Sequence, residues 1–344
     1  MSRPIRIALA FLVIAAGPIA AQYEPPTGGE DIYDLYSPLM LAEGAPAVAD
    51  EGPQADTMNP AISGLVQRTT LDASYLAVTG FGSPVAGGGW QGHVANLGVV
   101  SPTRFGVFSG SAHFLAMPLS GMRWGTTVAI HGSAAKELYP GWLAGVGMRV
   151  MAGGADRFDV GAAVDLGVVR EMGALGFMQN VRWGVALQNV GKWYEPLVGA
   201  SALSSPFTPV AGVNFDAVSN DWLTVRASGS LSAPAFQNLR LGVGGRATFF
   251  DTVSLHAGWK ADLRQLIEPQ ITRRSLVPSF GLSVSFSAGL GEEGFAAERG
   301  WTRTEVRTAV AAAPLYNDVW AIGGGINAPR SEERRVGKEC ATGC

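Results

Sequence analysis

Residues Phe158-Asp159-Val160-Gly161-Ala162-Ala163-Val164-Asp165-Leu166-Gly167-Val168 decide the fold class. Phe158, Val160, Ala162, Val164, Leu166 and Val168 share one face, and Asp159, Gly161, Ala163, Asp165 and Gly167 share the other. The period is two, so a strand turns this stretch into one greasy and one small or polar surface. The pattern returns in Leu239, Leu241, Val243, Ala247 and Phe249 against Arg240, Gly242, Gly244, Arg246 and Thr248. It returns again in Phe280, Leu282, Val284 and Phe286 against serines and Gly281, and in Val181, Trp183, Val185 and Leu187 against Arg182, Gly184, Ala186 and Gln188.

Working outward, Gly, Pro, Asn and Asp clusters cut the chain into strands near 70–79, 92–100, 103–115, 123–132, 141–151, 157–169, 180–190, 208–216, 221–231, 237–249, 252–261, 277–287, 303–313 and 316–327. That is about 14, an even number, each long enough to cross a bilayer at a tilt. Trp124, Trp142, Trp183, Trp193, Trp222, Trp259, Trp301 and Trp320 fall mostly near strand ends, where interfacial girdles sit. A soluble β-sandwich also alternates, but this many long strands with glycine-rich inner faces would make an oversized core. Past residue 21 no apolar run reaches the ~18 residues of a membrane helix, although mean hydropathy is +0.18. The expected fold is therefore all-β: a transmembrane antiparallel β-barrel.

The ends differ from the body. Arg3 and Arg6, the apolar run Ile7–Ala16 and Gly17-Pro18-Ile19-Ala20-Ala21 read as a secretory signal peptide, 1–21, cleaved after Ala21. Residues 22–68 lack alternation, and up to residue 60 they carry eight acidic residues with no Lys or Arg. They are expected to fold back into the lumen as a hatch ahead of a barrel at 69–328. Residues 329–344 are charged and unlike the rest, and read as translated adapter or vector sequence. Both cysteines, Cys340 and Cys344, lie there, so the exported body has no thiol.

If the N-terminus starts in the periplasm, the connections 191–206 and 262–276 fall outside, and the short turns near 217–220 and 249–252 fall inside, as barrels prefer. Connections at 133–140, 170–179 and 288–302 are expected to be longer periplasmic ones.

Gly44-Ala45-Pro46-Ala47-Val48-Ala49-Asp50, followed by Asp56-Thr57-Met58-Asn59-Pro60-Ala61, resembles the segment that opens FadL-type outer-membrane transporters and their PorV-like relatives. In that family a small-residue, acidic stretch leads to Asn-Pro-Ala just before the first strand. The resemblance covers residues 40–328. It implies a 14-stranded barrel blocked by an N-terminal hatch in the bacterial outer membrane and, in the transporter branch, passage of hydrophobic molecules such as long-chain fatty acids. Two features depart from it. The external loops are shorter than those forming the outer hydrophobic groove of fatty-acid transporters. The last strand ends Ile326-Asn327-Ala328-Pro329, without the terminal aromatic of many barrels, which implies truncation or a following periplasmic segment.

With the polar faces turned inward, Arg149, Asp165 and Arg182 stand on three successive strands as a lumen charge ladder. Arg226, Arg240, Arg246, His256 and Lys260 form a basic wall, expected to hold the hatch acids Glu43, Asp50, Glu51 and Asp56, because charges attract more strongly in a confined lumen than in bulk water. Part of that wall (Arg226, Arg240, Arg246, Lys260) is the candidate site for a substrate carboxylate, and Leu39, Met40 and Leu41 are candidates to line a greasy pocket or to pack the hatch. Gly106, Ser109, Gly110 and Ser111 are candidates for a kink in the third strand that opens a lateral gap, as in FadL-type transporters. Ordinary strand glycines fitting barrel curvature are the alternative.

Other chemistries are poorly served. Net charge is −3, with basic residues scattered singly, so nucleic acid is not an expected partner. His93, His113, His131 and His256 lack metal-ligand spacing, and Gly242-Val243-Gly244-Gly245 opens no helix, so no metal or cofactor is expected. Ser111 and Ser133 near His113 and His131 lack an orienting acid, so no enzyme is expected. Expected partners are outer-membrane lipid, a hydrophobic small molecule and the barrel-assembly machinery. The expected function is passive, FadL-like transport of hydrophobic molecules; the alternative is a non-transporting, PorV-like accessory barrel.

Overall fold

The computed structural model describes residues 37–44, 48–51, 54–80, 92–117, 125–154, 157–192, 207–267, 277–289, 303–316 and 319–329. The expected signal peptide and all but the first residue of the C-terminal tail lie outside them, as do the Gly87–Gly89 run, Trp124, Trp193 and Trp301.

Fourteen antiparallel strands form one closed barrel. They are β1 (Thr70–Gly80), β2 (Gly92–Thr103), β3 (Gly106–Met117), β4 (Gly125–Tyr139), β5 (Trp142–Gly154), β6 (Phe158–Leu175), β7 (Met178–Lys192), β8 (Thr208–Ser219), β9 (Leu223–Ser232), β10 (Arg240–Phe249), β11 (Val253–Asp262), β12 (Ser279–Gly289), β13 (Arg303–Tyr316) and β14 (Val319–Pro329). Each pairs with its sequence neighbour, and β1 closes on β14 from Thr70↔Pro329 to Gly80↔Val319. Closure leaves no edge, so every ladder amide finds a partner without water, the condition for a sheet in lipid. Among the described residues no helix is long and apolar enough to cross a membrane.

The alternation of β6 places Phe158, Val160, Val164 and Leu166 on the exposed outer face and Asp165 and Gly167 inside. Leu241, Val243, Phe280, Leu282 and Phe286 are likewise outside. On these strands the outer face is an apolar band and the inner face is small and polar.

Two connections differ from expectation. Residues 133–139 and 170–175 belong to β4 and β6, and the turns are only Pro140-Gly141 and Gly176-Phe177. Gly176, first in its turn, has a left-handed backbone (φ +64), which lets the two-residue turn follow the twist of the strands, whereas Gly141 (φ +73) follows Pro140 beside a register shift between Glu137 and Tyr139. The Gly323–Gly325 run lies inside β14 opposite Ser74–Leu76.

Val181, expected on the outer face of β7, is buried instead, because the β6–β7 register shifts near Gly173 and Asn180 has a left-handed backbone. A second shift pairs Val164 with Val190 and Leu166 with Leu187, leaving Gln188 and Asn189 opposite the single residue Asp165. This β-bulge turns both residues inward. Asn, which tolerates the left-handed region, occupies the strained position (Asn189 φ +59).

Candidate functional site

The described part of the N-terminal segment lies against the inner wall. It comprises a short helix, Pro38–Glu43, and 3₁₀ turns at Ala55–Thr57 and Pro60–Leu65. Gly44 ends the helix with a left-handed backbone (φ +63).

Asn59-Pro60-Ala61 is a helix start built into the wall. Asn59 is fully buried; its Oδ1 accepts from the Ala61 amide (3.0 Å), and Pro60 supplies the fixed φ of the first helical position. The Asn59 Nδ2 donates to the Val48 carbonyl (2.8 Å), tying the two halves of the segment together, and lies 3.3 Å from the Val168 carbonyl of β6.

The wall here is glycine. Gly145 and Gly167 pair directly across β5 and β6, and an added Cβ would overlap Pro60 and Ala61 at the first and Asn59 Oδ1 at the second. On the opposite side Gly244 and Gly258 pair across β10 and β11, where a Cβ would overlap the Glu43 carbonyl. At these four positions glycine lets the segment lie on the backbone of the wall.

Charges fix the segment at two places. Arg226 of β9 and Arg246 of β10 converge on Asp50, at 3.0 and 2.8 Å; Arg226 also holds Asp216 of β8 (2.7 Å), and Arg246 approaches Glu43 (3.5 Å). Glu43 Oε1 lies 2.8 Å from Nδ1 of His256, whose Nε2 meets Ser283 Oγ at 2.9 Å. Burial opposes ionisation of Asp50, but the guanidinium groups of Arg246 and Arg226 outweigh it and hold the carboxyl below the usual carboxylate range. At the second place Asp56 accepts from Ser109 Oγ (2.7 Å) and lies 3.3 Å from His131 Nδ1. Burial is again outweighed, here by His131 and Ser109, and the Asp56 carboxyl is lowered. His131 Nε2 and Arg149 Nη2 each lie 3.5 Å from Asp165, and Arg149 donates to the Thr57 carbonyl (2.8 Å). The bulge completes this group: the Asn189 amide donates to Asp165 Oδ1 (2.7 Å).

Several expected residues stand elsewhere. Arg182 does not continue the ladder to Asp165; it pairs with Glu171 (3.1 Å) and approaches Glu51 (3.7 Å), because the register sets it opposite Glu171. Arg240 lies six positions from Arg246 along β10, about 20 Å away, beside Asp262; Lys260 sits opposite Gly242. Neither belongs to the group around Asp50. Ser109 faces inward onto Asp56, but β3 stays paired with β2 and β4 along its length without a register shift, so Gly106, Gly110 and Ser111 lie in a continuous sheet.

Leu39, Met40 and Leu41 are buried. Met40 packs with Ala55, Met58, Ala61, Ile62, Leu143 and Val169. Leu41 joins a larger cluster that sequence reading missed: Leu76, Val78, Val94, Leu115, Met117, Met151, Leu315 and Val319 point inward at the barrel end opposite the Pro140-Gly141 and Gly176-Phe177 turns. The available signal was the local failure of alternation, as in Tyr75-Leu76-Ala77-Val78 and Phe114-Leu115-Ala116-Met117, where both faces are apolar. Toward the short turns, a cavity of about 330 Å³ opens between the segment and the wall, lined by Gln54, Leu65, Asp72, Val100, Arg307 and Asn327, among others.

Solved barrels share this fold. The Pseudomonas putida toluene transporter TodX superposes with a TM-score of 0.54 at 10% identity, over 86% of this chain and 98% of its own. The monoaromatic hydrocarbon channel CymD gives 0.53 at 12% identity, over 87% and 98%. The chain has the fold of these channels. The Ralstonia pickettii toluene transporter TbuX gives 0.50 at 12% identity, over 86% and 98%. Identities this low make the likeness one of fold. No protein-family model and no curated protein matches the sequence.

Proposed function

We propose that this barrel lets hydrophobic small molecules diffuse across the bacterial outer membrane, with the N-terminal segment as a hatch in the lumen. The observation that carries the reading is the apolar inner cluster around Leu76, Leu115, Met117 and Met151. Lumens of water-filled barrels are polar, and an apolar inner surface at the end that carries the connections 81–91, 193–207 and 263–278 suits a cargo that leaves water there. The cluster ends on Leu41 of the segment, and the cavity beside Gln54 and Arg307 lies on the far side. A greasy approach, a barrier and a mixed exit in series support passive conduction. Likeness to channels whose names specify toluene and monoaromatic hydrocarbons favours a hydrophobic small-molecule cargo, and within that class a long-chain fatty acid is the alternative to a monoaromatic. Arg226 and Arg246 are spent on Asp50 and Glu43, so in this reading they dock the hatch and do not meet cargo.

The density of that docking also favours the second reading, a permanently shut accessory barrel. The two separate in a binding experiment on delipidated protein with toluene and with a fluorescent long-chain fatty acid. Conduction predicts saturable binding of at least one probe, weakened tenfold or more by Leu115→Asp. Absence of saturable binding of both moves the accessory reading to first place.

A further inference from the structure

The rim formed by the short turns carries a large aromatic at each described turn: Phe105, Tyr139 beside Trp142, Phe177, Trp222 and Phe250, all exposed. Its charges are not distributed so evenly. On the arc from β2 to β7 the outward positions are cationic: Arg104 in the β2–β3 turn, Lys136 on β4 and Arg170 on β6. On the next arc the β8–β9 and β10–β11 turns carry Asp221 and Asp251 instead. A girdle that only marked the interface would need aromatics, not this segregation of sign.

Arg170 is the best placed of the three. It follows Val168 on the lipid-facing side of β6, with Trp142 of β5 and Trp183 of β7 as its two register partners. Its guanidinium lies 5.0 Å from the Trp142 ring, and Nη1 donates to the Pro140 carbonyl (2.6 Å), which holds the group against the wall. The two indoles stack edge to face at 5.5 Å. Among the described residues no carboxylate is ion-paired with Arg170: Glu171 faces inward onto Arg182, and Glu137 accepts from the Gly141 amide. Lys136 lies opposite Ala144, whose small side chain leaves a dip in the outer face beside Trp142. Two strand spacings and one two-residue step separate Lys136 from Arg170, about 12 Å between Cα atoms, so both long side chains reach one group seated over Ala144. Arg104 lies over Phe105 (4.6 Å), and Gly106 packs near Lys136, extending the same arc.

We propose that the arc Arg104–Lys136–Arg170, with Trp142 and Trp183, binds the headgroup of an anionic phospholipid. A phosphate over Ala144 takes charge-assisted hydrogen bonds from Arg170 and Lys136, the acyl chains lie along Val146, Met148, Val164 and Leu166, and the indoles sit at the glycerol level. The site depends on the barrel lying in a membrane and not on what crosses its lumen, so its failure would leave the transport reading untouched.

The test is native mass spectrometry of the purified barrel exposed to an equal mixture of phosphatidylglycerol and phosphatidylethanolamine. The wild type should retain phosphatidylglycerol at least fivefold over phosphatidylethanolamine. The variant Lys136→Gln/Arg170→Gln should lose that preference while keeping the heat-resistant gel band of a folded barrel, and Asp221→Asn/Asp251→Asn should keep it. Equal retention of the two lipids, or a preference unchanged in the lysine–arginine variant, overturns the proposal. So does complete displacement of phosphatidylglycerol by millimolar inorganic phosphate, which would mark a free-anion site. If the variant fails to fold, Arg170→Lys serves instead: it keeps the charge but loses the planar contact with Trp142, and a preference falling at least twofold supports the site while an unchanged one counts against it.

Discussion

Replacing Asn59 by alanine removes one side chain from the segment and leaves every barrel strand intact, which makes it the cleanest probe of how the segment is held. Loss of the Oδ1 acceptor uncaps the Pro60–Leu65 turn, worth about 1 kcal/mol. Loss of Nδ2 leaves the buried Val48 carbonyl without that donor, worth about 1–3 kcal/mol. The approach to Val168 at 3.3 Å is too long to add much. Together these come to about 2–4 kcal/mol, and at about 1.4 kcal/mol per decade the undocked population rises roughly 30- to several hundred-fold. Hydrogen exchange reads this at the amides of Thr57, Met58 and Ile62, whose backbone acceptors Gln54, Ala55 and Asn59 the substitution leaves in place. Their exchange should accelerate by that factor, while strand amides of β5 and β6 stay protected. Gly167→Ala should do the same by pushing a Cβ into Asn59, whereas Gly110→Ala, whose Cβ would meet nothing nearer than the His131 carbonyl at 3.9 Å, should be silent. Exchange within threefold of wild type in Asn59→Ala, with the barrel folded, would refute the account of the anchor.

Charge and acid should act on the same docking. The pair Arg226→Gln/Arg246→Gln leaves Asp50 buried without its cations, a loss of about 3–5 kcal/mol for a broken buried pair, and single-channel conductance in planar bilayers should rise; either change alone should do less, because the other arginine still reaches Asp50. Asp50 and Asp56 both have lowered docked-state pKa values, so their contribution is complete above the ordinary aspartate value of about 3.9 and is lost as pH falls below it through the depressed values. Protease protection of the segment should therefore be the same at pH 7 and pH 5 and fail toward pH 3, and Asp50→Asn should reduce the protection seen at pH 5.

The division between what was legible and what was not follows from range. Strand number, the faces of β6, β10 and β12, and the position of most turns are written in neighbouring residues, because a lipid-facing strand must alternate residue by residue. The inward assignment of Arg226, Arg246 and His256, and their attraction to acids of the N-terminal segment, followed from the same alternation plus charge. Which acid meets which base did not: Asp50 and Arg246 are 196 residues apart, and their meeting depends on how far the segment enters before its backbone settles on Gly145–Gly167 and Gly244–Gly258. The bulge at Gln188–Asn189, which aims the Asn189 amide at Asp165, leaves no local pattern either, since one extra residue in a ladder is defined only by its partner strand. Sequence by itself determined a closed, alternating wall, because that wall is a local answer to lipid. Only the tertiary structure decided how the segment sits within it, because that seat is a steric and electrostatic fit between surfaces far apart in the chain.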